Sequence, residues 1–289
     1  MNIEYSVILA LVAMLFWGVG DFFIQRNVRK IGNLESLAYI GIIGSIMLFP
    51  FVYNELGLLL TIENLALLSL LGVLVFISAL FNFEALKKGK LSVIDVILEL
   101  ELPIVVLLSF IFLKETLTLI QALIIGLLFI GIVFVAVERF SFKGLFKKLE
   151  KGAIIAVIGA VGLGLIDFLT ATSSRTISPV LAVWMPWLMV SIISLVFIFK
   201  RERVKVFVEH GIRLKYWILI MGVLDILAWL AYAHAMEISN VAVITAITEA
   251  YPAVALFLGV WMNKERIKKH QYIGAGIALG ASFLLAFVI

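Results

Sequence analysis

Long apolar runs, separated by short and mostly basic connections, divide the whole sequence. Ten runs have about the twenty residues that an α-helix needs to cross the hydrocarbon core of a bilayer. They cover residues 5–25, 34–53, 64–86, 91–113, 117–138, 152–173, 179–200, 215–236, 241–262 and 270–289. The runs are continuous rather than alternating, which favours helices over the strands of a membrane barrel. We therefore predict an all-α polytopic membrane protein with ten transmembrane helices.

The composition excludes several classes of function. Charged residues make up only 15% of the chain, whereas a soluble domain carries about 25%. The chain contains no cysteine, which excludes disulfides, thiol nucleophiles and cysteine metal sites. The histidines are scattered without the spacing of metal ligands, and the sequence has no phosphate-binding loop or catalytic triad. We therefore expect no cofactor, no metal site and no nucleic-acid partner.

Lysine and arginine are concentrated in alternate connections, which predicts the orientation of the chain. Connections on one side of the membrane carry twenty-one of these residues, and the other side carries only Lys114 and Arg175. The basic side is expected in the cytoplasm of a plasma-membrane protein, which places both termini of a ten-helix chain outside. The connections 139–151 and 201–214 are basic and amphipathic, as in helices that lie on a membrane surface. A regulatory site is the alternative for these two connections.

The second half of the sequence repeats the first at offsets of 146 to 150 residues. Matched residues include Gly18 and Gly164, Asp21 and Asp167, Glu99 and Glu249, Lys114 and Lys264, and Glu115 and Glu265. Each copy holds five spans, and an odd number gives the copies opposite orientations in the membrane. Inverted repeats are typical of secondary transporters, whose sites lie near the midplane between the repeats.

The duplication, the Trp17-Gly18 pair and the proline-containing fourth and ninth spans together carry a family resemblance. These spans end in Lys114-Glu115 and in Asn263-Lys264-Glu265-Arg266. With these features the chain resembles the EamA family of the drug/metabolite transporter superfamily. The resemblance implies two five-helix repeats, 1–140 and 152–289, joined by a basic cytoplasmic linker at 141–151. It also implies a solute carrier, often an exporter, whose central cavity is lined mainly by the third, fourth, eighth and ninth spans.

Acidic residues lie inside the apolar spans, where a charge costs about 2.5–3.5 kcal/mol on insertion scales. They are Asp21, Glu84, Asp95, Glu99, Glu101, Asp167, Asp225 and Glu249. No lysine or arginine lies well inside a span, so some of these acids must be protonated or must bind a cation. A carboxyl group that can hold either a proton or a substrate is what proton coupling requires.

Helical geometry favours Glu99 and Glu249 for substrate binding and coupling. At about 100° per residue, Asp95 and Glu99 share a face, and Thr245 and Glu249 take their places in the second copy. The same rotation turns Glu101 about 200° away from Glu99, so it is expected to face elsewhere. There it is either a protonated hydrogen-bond donor between helices or a residue with a role of its own. A structural pair of neutral acids is the alternative for Glu99 and Glu249.

Asp21 and Asp167 are further site candidates because they occupy equivalent positions in the two copies. Trp17 shares a face with Asp21 and joins the candidates. Simple hydrogen bonding near a helix end is the alternative for both aspartates. Glu84 lies within one turn of two lysines, which favours a solvated helix end over a site.

The eighth span combines an acid with aromatic residues. Asp225, Trp229 and Tyr232 fall on one face, and Asn82 is the first-copy counterpart of Tyr232. Aromatic rings beside acids suit a cationic amine through cation–π contacts. Tryptophans also anchor helices at membrane interfaces, and this is the alternative for Trp184, Trp187 and Trp229.

Two prolines are candidate hinges, since proline removes a backbone hydrogen bond and kinks a helix. Pro103 and Pro252 follow the glutamates of the fourth and ninth spans, and a kink that only improves packing is the alternative. Gly276 and Gly280 form a GxxxG motif, which favours close helix packing within the bundle over a dimer interface.

Together these patterns predict a secondary transporter that moves a small polar or cationic metabolite by alternating access, with protons as the expected coupling ion. Its partners are a small-molecule substrate and the lipid bilayer. A membrane-embedded enzyme that modifies lipids, or a membrane subunit that transports nothing, are the alternatives. The enzyme is disfavoured because the sequence lacks an activated serine, cysteine or histidine arrangement.

Overall fold

The structure, a computed structural model, describes residues 4–88, 98, 100–136, 151–264 and 267–288. The side chains of 25, 82–88, 151–156 and 263 lie outside the described set. Within these ranges the chain is helical and contains no strand. The helices are α1 Tyr5–Ile31, α2 Asn33–Val52, α3 Ile62–Lys88, α4 Glu101–Leu108, α5 Leu119–Ala136, α6 Lys151–Thr176, α7 Pro179–Lys200, α8 Val204–Arg213, α9 Lys215–Ile238, α10 Val241–Thr248, α11 Tyr251–Asn263 and α12 Lys269–Leu285. A 3₁₀ helix, Tyr53–Leu60, extends α2, and a π-helical turn, Ser109–Leu113, extends α4.

Most of the predicted spans coincide with helices that can cross a membrane. Eight helical segments of the described residues are long and apolar enough to do so, which makes the chain a multi-pass membrane protein. The predicted fourth span is represented by a shorter apolar helix, Glu101–Leu113. The predicted tenth span is a helix of 17 residues, α12. The count of ten transmembrane helices stays a prediction, and part of the fourth span lies outside the described residues.

The predicted fourth and ninth spans are interrupted beside their glutamates. Helix α10 ends at Thr248, and α11 begins at Tyr251 after a two-residue turn. Helix α4 begins at Glu101, directly after a turn at Leu100. Pro252 and Pro103 therefore lie in the first turn of a new helix, where the missing backbone N–H costs least. The kinks expected at these prolines are helix breaks that precede them, and their role as hinges stays a prediction.

The two halves of the chain pack against each other through equivalent pairs of helices. Helix α1 packs along α9, and α6, the second-half counterpart of α1, packs along α3. In the same way, α1 contacts α11, and α6 contacts α4. Helices α2 and α7 pair across the halves, as do α5 and α12. The main interfaces of the bundle thus lie between the repeats. Helices of both repeats can therefore contribute side chains to its centre.

The GxxxG motif does not pack within the bundle. A Cβ atom added at Gly276 or Gly280 would meet no other atom within 4 Å. The close contact of α5 with α12 is made at Gly131 and Gly274 instead, where an added Cβ would lie 2.6 and 2.5 Å from the partner helix. The prediction of bundle packing for Gly276 and Gly280 is therefore wrong, because the helix turns this face outward.

The connection 201–214 forms a short amphipathic helix, as predicted. None of the side chains of α8 is buried, and Phe207 stacks on Tyr39 with ring centroids 4.2 Å apart. Arg203, just before α8, forms an ion pair with Glu35 of α2 with an N–O distance of 2.9 Å. The helix is thus fixed to one end of the bundle. The other amphipathic connection lies outside the described residues from 139 to 150.

Candidate functional site

Three acidic side chains from three separate elements meet in the bundle. One carboxylate oxygen each of Glu101, Asp167 and Glu249 lies within 4.8 Å of the other two. Asp167 and Glu249 are only 2% and 6% exposed, and Glu101 is half-buried. Mutual repulsion at this separation favours a shared proton or a bound cation. We call Glu101, Asp167 and Glu249 the acid cluster.

The broken helices and one glycine bring the acid cluster together. Glu101 is the first residue of α4, and Glu249 lies in the turn between α10 and α11, so both glutamates stand at helix breaks. Gly164 lies one turn before Asp167 on α6, and a Cβ atom there would be 2.5 Å from Ile104 of α4. The missing side chain allows α6 to approach α4 closely enough for Asp167 to reach Glu101.

A chain of hydrogen bonds extends from the acid cluster into the core. Asp167 is hydrogen-bonded to the side chains of Glu101 and Tyr232. The Tyr232 hydroxyl also lies 2.6 Å from Oγ1 of Thr245, and both residues are fully buried. Buried polar networks of this kind fix their members in place when every group has a partner. The network therefore connects α4, α6, α9 and α10.

Aromatic rings lie beside the acid cluster. The ring of Trp17 contacts those of Trp229 and Tyr232, with centroids 5.0 and 5.1 Å apart, and Tyr251 follows at 6.3 Å. The face predicted for Asp225, Trp229 and Tyr232 is confirmed, since Trp229 and Tyr232 contact Trp17 of α1 and the Asp225 side chain interacts with Asp21 of α1. Aromatic faces next to carboxylates provide two attractive surfaces for an organic cation.

The tryptophans of α7 are core residues rather than interface anchors. Trp184 and Trp187 are each 7% exposed, and the indole N–H of Trp184 donates to the carbonyl of Ser45 over 3.0 Å. Trp187 and Trp229 line a cavity together with Ile166 and Thr170, which flank Asp167 in the sequence. A substrate-lining role for Trp184, Trp187 and Trp229 stays a prediction.

This cavity is too small for a metabolite. Its volume of about 10 Å³ accommodates about one water molecule, whereas ligand pockets span roughly 300–1,000 Å³. A metabolite therefore requires a rearrangement of the surrounding helices before it can occupy this space.

The acid cluster has the donor set of a cation site. Carboxylate oxygens are the ligands that hard cations such as Ca²⁺ and Mg²⁺ prefer. Glu101, Asp167 and Glu249 each offer one oxygen, and Tyr232 and Thr245 add hydroxyl oxygens nearby. The same arrangement can instead share a proton among the three carboxyl groups. Chemically, the cluster can therefore exchange a proton for a positively charged ligand.

The structure brings only some of the predicted site residues together. Asp167, Glu249, Tyr232 and Trp17 meet at the acid cluster, as described above. Asp21, on the same helix as Trp17, lies beside Asp225 between α1 and α9, and its role in the site stays a prediction. Asp225 is 5% exposed, and its Oδ2 atom has no hydrogen-bond partner. Asp95, Glu99 and the side chains of Asn82 and Glu84 lie outside the described residues.

Glu101 is the site residue that the sequence patterns placed elsewhere. Its repeat counterpart is Tyr251, so the duplication gives it no matching acid. The rotation from Glu99 assumed one continuous helix, but a turn at Leu100 precedes Glu101 and a new helix begins there. Pro103, two residues later, is the signal that could have indicated this helix start, because proline favours the first turn of a helix.

Comparisons with known proteins found a matching family, a related sequence and a solved structure of similar fold. The model of the EamA-like transporter family matches residues 4–137 and again residues 150–287. An uncharacterized protein of Methanocaldococcus jannaschii, MJ1333.1, is 32% identical over 137 residues. These residues are 47% of this chain and 99% of that protein, which therefore has about the length of one repeat. A crystal structure covering 98% of this chain and 96% of its own superposes with a TM-score of 0.77 at 14% identity, which shows a common fold.

Proposed function

The chain belongs to the EamA-like transporter family, as its sequence resemblance predicted, and on this premise we propose that it is a secondary transporter working by alternating access. The observation that supports the proposal is the acid cluster, to which Glu101 comes from the first half and Asp167 and Glu249 from the second. A site shared by two halves changes its access when the halves move against each other. The solute passes close to Glu101, Asp167 and Glu249.

The substrate class that fits this site is a small cationic or zwitterionic metabolite. The carboxyl groups of the cluster attract an ammonium group, and the rings of Trp17 and Tyr232 offer cation–π contacts beside it. An anion would be repelled, because the acids and the faces of the aromatic rings both carry negative potential.

Protons are the coupling ion in this proposal. A cluster that holds a proton when empty releases it when a cationic solute takes its place, so the two occupants compete. Glu249 and Asp167 are the main coupling residues, and Glu101 completes the site. Asp95, Glu99 and Asn82 are proposed to contribute from the first repeat, where they are the counterparts of Thr245, Glu249 and Tyr232.

The arrangement in the membrane follows the sequence predictions. We propose ten spans in two repeats of opposite orientation, 1–140 and 152–289, with the linker 141–151 and the other basic connections in the cytoplasm. Both termini are then outside the plasma membrane. The helix pairs that recur between the halves support such a pseudo-symmetric arrangement.

The proposal is tested by proton flux in proteoliposomes that contain a pH-sensitive dye. Amines, amino acids, sugars and nucleosides are added one at a time, and the expected result is a proton signal with a cationic or zwitterionic solute. Glu249→Gln is expected to abolish the signal because it removes one carboxyl group of the cluster. Glu209→Gln serves as the matched control, since Glu209 is exposed on α8.

Two results would contradict the proposal. In the first, the double variant Asp167→Asn/Glu249→Gln transports as the unmodified protein does, with an unchanged pH dependence. In the second, folded protein forms a product from lipid while no solute moves, which would favour a lipid-modifying enzyme.

A further inference from the structure

An ion pair joins the two halves of the chain at the end of the bundle opposite the basic connections. Glu115 follows the π-helical turn after α4, and Arg175 lies in the last turn of α6. A guanidinium nitrogen of Arg175 is 2.7 Å from Oε1 of Glu115. The side chains are only partly buried, with exposed fractions of 27% for Arg175 and 12% for Glu115. Water therefore reaches the pair from this end.

The same two side chains also hold the connection between α9 and α10. The Nε atom of Arg175 donates to the carbonyl of Met236 over 2.8 Å, and its terminal nitrogen donates to the carbonyl of Ser239 over 2.5 Å. Oε2 of Glu115 accepts from the backbone N–H of Val241, the first residue of α10, over 2.9 Å. Arginine suits this position because its planar fork can bond several acceptors at once.

The four helix ends joined in this way belong to the helices that build the acid cluster. Helix α4 carries Glu101, α6 carries Asp167, α9 carries Tyr232 and α10 carries Thr245. Thr170, which lines the small cavity next to Trp229, lies on α6 between Asp167 and Arg175. Along α6, Arg175 lies about two turns beyond Asp167, toward the end of the bundle opposite the basic connections.

We propose that Glu115 and Arg175 form the outer gate of this transporter, closed in the present conformation. The inference rests on the proposed transport function and assigns to these two residues the control of access from the outer side. Breaking the pair releases α4 from α6 and from the start of α10 together, so the helices around the acid cluster can separate at this end. A part-exposed pair is suited to this role because water can solvate both charges when it opens.

The opposite end of the bundle provides a matched control. Arg203 and Glu35 also form an ion pair between the halves, over 2.9 Å. This pair joins the start of α2 to the connection between α7 and α8 and contacts none of the helix ends held by Arg175. Arg203→Gln therefore removes an ion pair of the same kind without opening the outer side.

The chain contains no cysteine, so one introduced thiol can report on access. The reporter is Thr170→Cys, because Thr170 is 2% exposed and lines the cavity. It is labelled from the outer side of intact vesicles with a membrane-impermeant maleimide. Thr61→Cys, at an exposed turn between the 3₁₀ helix and α3, measures how much inserted protein is available for labelling.

We expect the labelling rate of the reporter to rise by about tenfold in Arg175→Gln and in Glu115→Gln, since labelling follows the open population. Arg175→Lys keeps the charge but loses the fork, so its rate is expected between those of the parent and Arg175→Gln. Arg203→Gln is expected to leave the rate unchanged. Glu115→Gln retains a side-chain oxygen for Val241, so it separates the loss of charge from a loss of folding.

Two results would overturn the gate. One is an unchanged reporter rate in both Glu115→Gln and Arg175→Gln while the Thr61→Cys control is labelled normally. The other is an equal rise in Arg203→Gln, which would indicate general loosening of the bundle. The transport proposal is tested separately. If the reporter rate rises in these variants while no solute of the panel moves protons, the result contradicts the transport proposal and not the gate.

Discussion

The first helices of the two repeats agree in their packing at one glycine and differ in the surroundings of the aspartate that follows it one turn later. A Cβ atom at Gly18 of α1 would lie 2.5 Å from Val254, and one at Gly164 of α6 would lie 2.5 Å from Ile104. Val254 and Ile104 are themselves repeat counterparts. Both copies thus need a glycine where the first helix of one repeat crosses the broken helix of the other.

The aspartates one turn later have different surroundings. Asp167 is hydrogen-bonded to Glu101 and Tyr232 in the acid cluster. Asp21 is half-buried next to Asp225, whose Oδ2 atom has no hydrogen-bond partner. The difference indicates that the duplication preserved the close helix contacts, whereas one of the two equivalent aspartates became the centre of a polar network.

The largest expected effect tests this difference at the two aspartates. Asp167→Asn should lower the initial rate of solute-driven proton flux by at least about tenfold, because it removes one carboxyl group of the cluster. Asp21→Asn should lower the rate by less than about threefold. The measurement is the initial dye response in proteoliposomes at matched protein content. Equal losses in the two variants would mean that both repeats contribute equally to coupling.

A second prediction tests the similarity in packing. Gly18→Ala and Gly164→Ala should each destabilise the protein by about 1–3 kcal/mol, because the new methyl group overlaps a side chain of the neighbouring helix. Gly126→Ala is the control, since its methyl group would meet no atom within 4 Å, and it should not destabilise. Thermal unfolding in detergent checks these changes. A loss of stability confined to one repeat would show that the two contacts are not equivalent.

The smallest effect is expected at the buried partner of Asp21. Asp225→Asn should change the transport rate by no more than about twofold and should not lower the unfolding temperature, because the carboxyl oxygen that it replaces has no hydrogen bond to lose. Transport and thermal unfolding are measured on the same preparation. A loss as large as that of Asp167→Asn would show that α1 and α9 hold a second coupling site.

The class of the protein, most of its helices and its duplication could be predicted from the order of its residues. A helix that crosses hydrocarbon needs a long apolar run, and this requirement is local, so runs such as 179–200 coincide with their helices. The repeat is equally visible in the sequence, since Gly18 and Gly164 match at an offset of 146 residues. Both features are properties of the chain read in order.

The membership of the site depended on the tertiary structure. A rotation of about 100° per residue predicts directions only along an unbroken helix, and the turn at Leu100 means that this rule does not extend to Glu101. The pair of Glu115 and Arg175 joins residues sixty positions apart, which no local pattern indicates. The side-chain partners follow from where helices break and how closely glycines let them cross, and these distances exist only in the packed bundle.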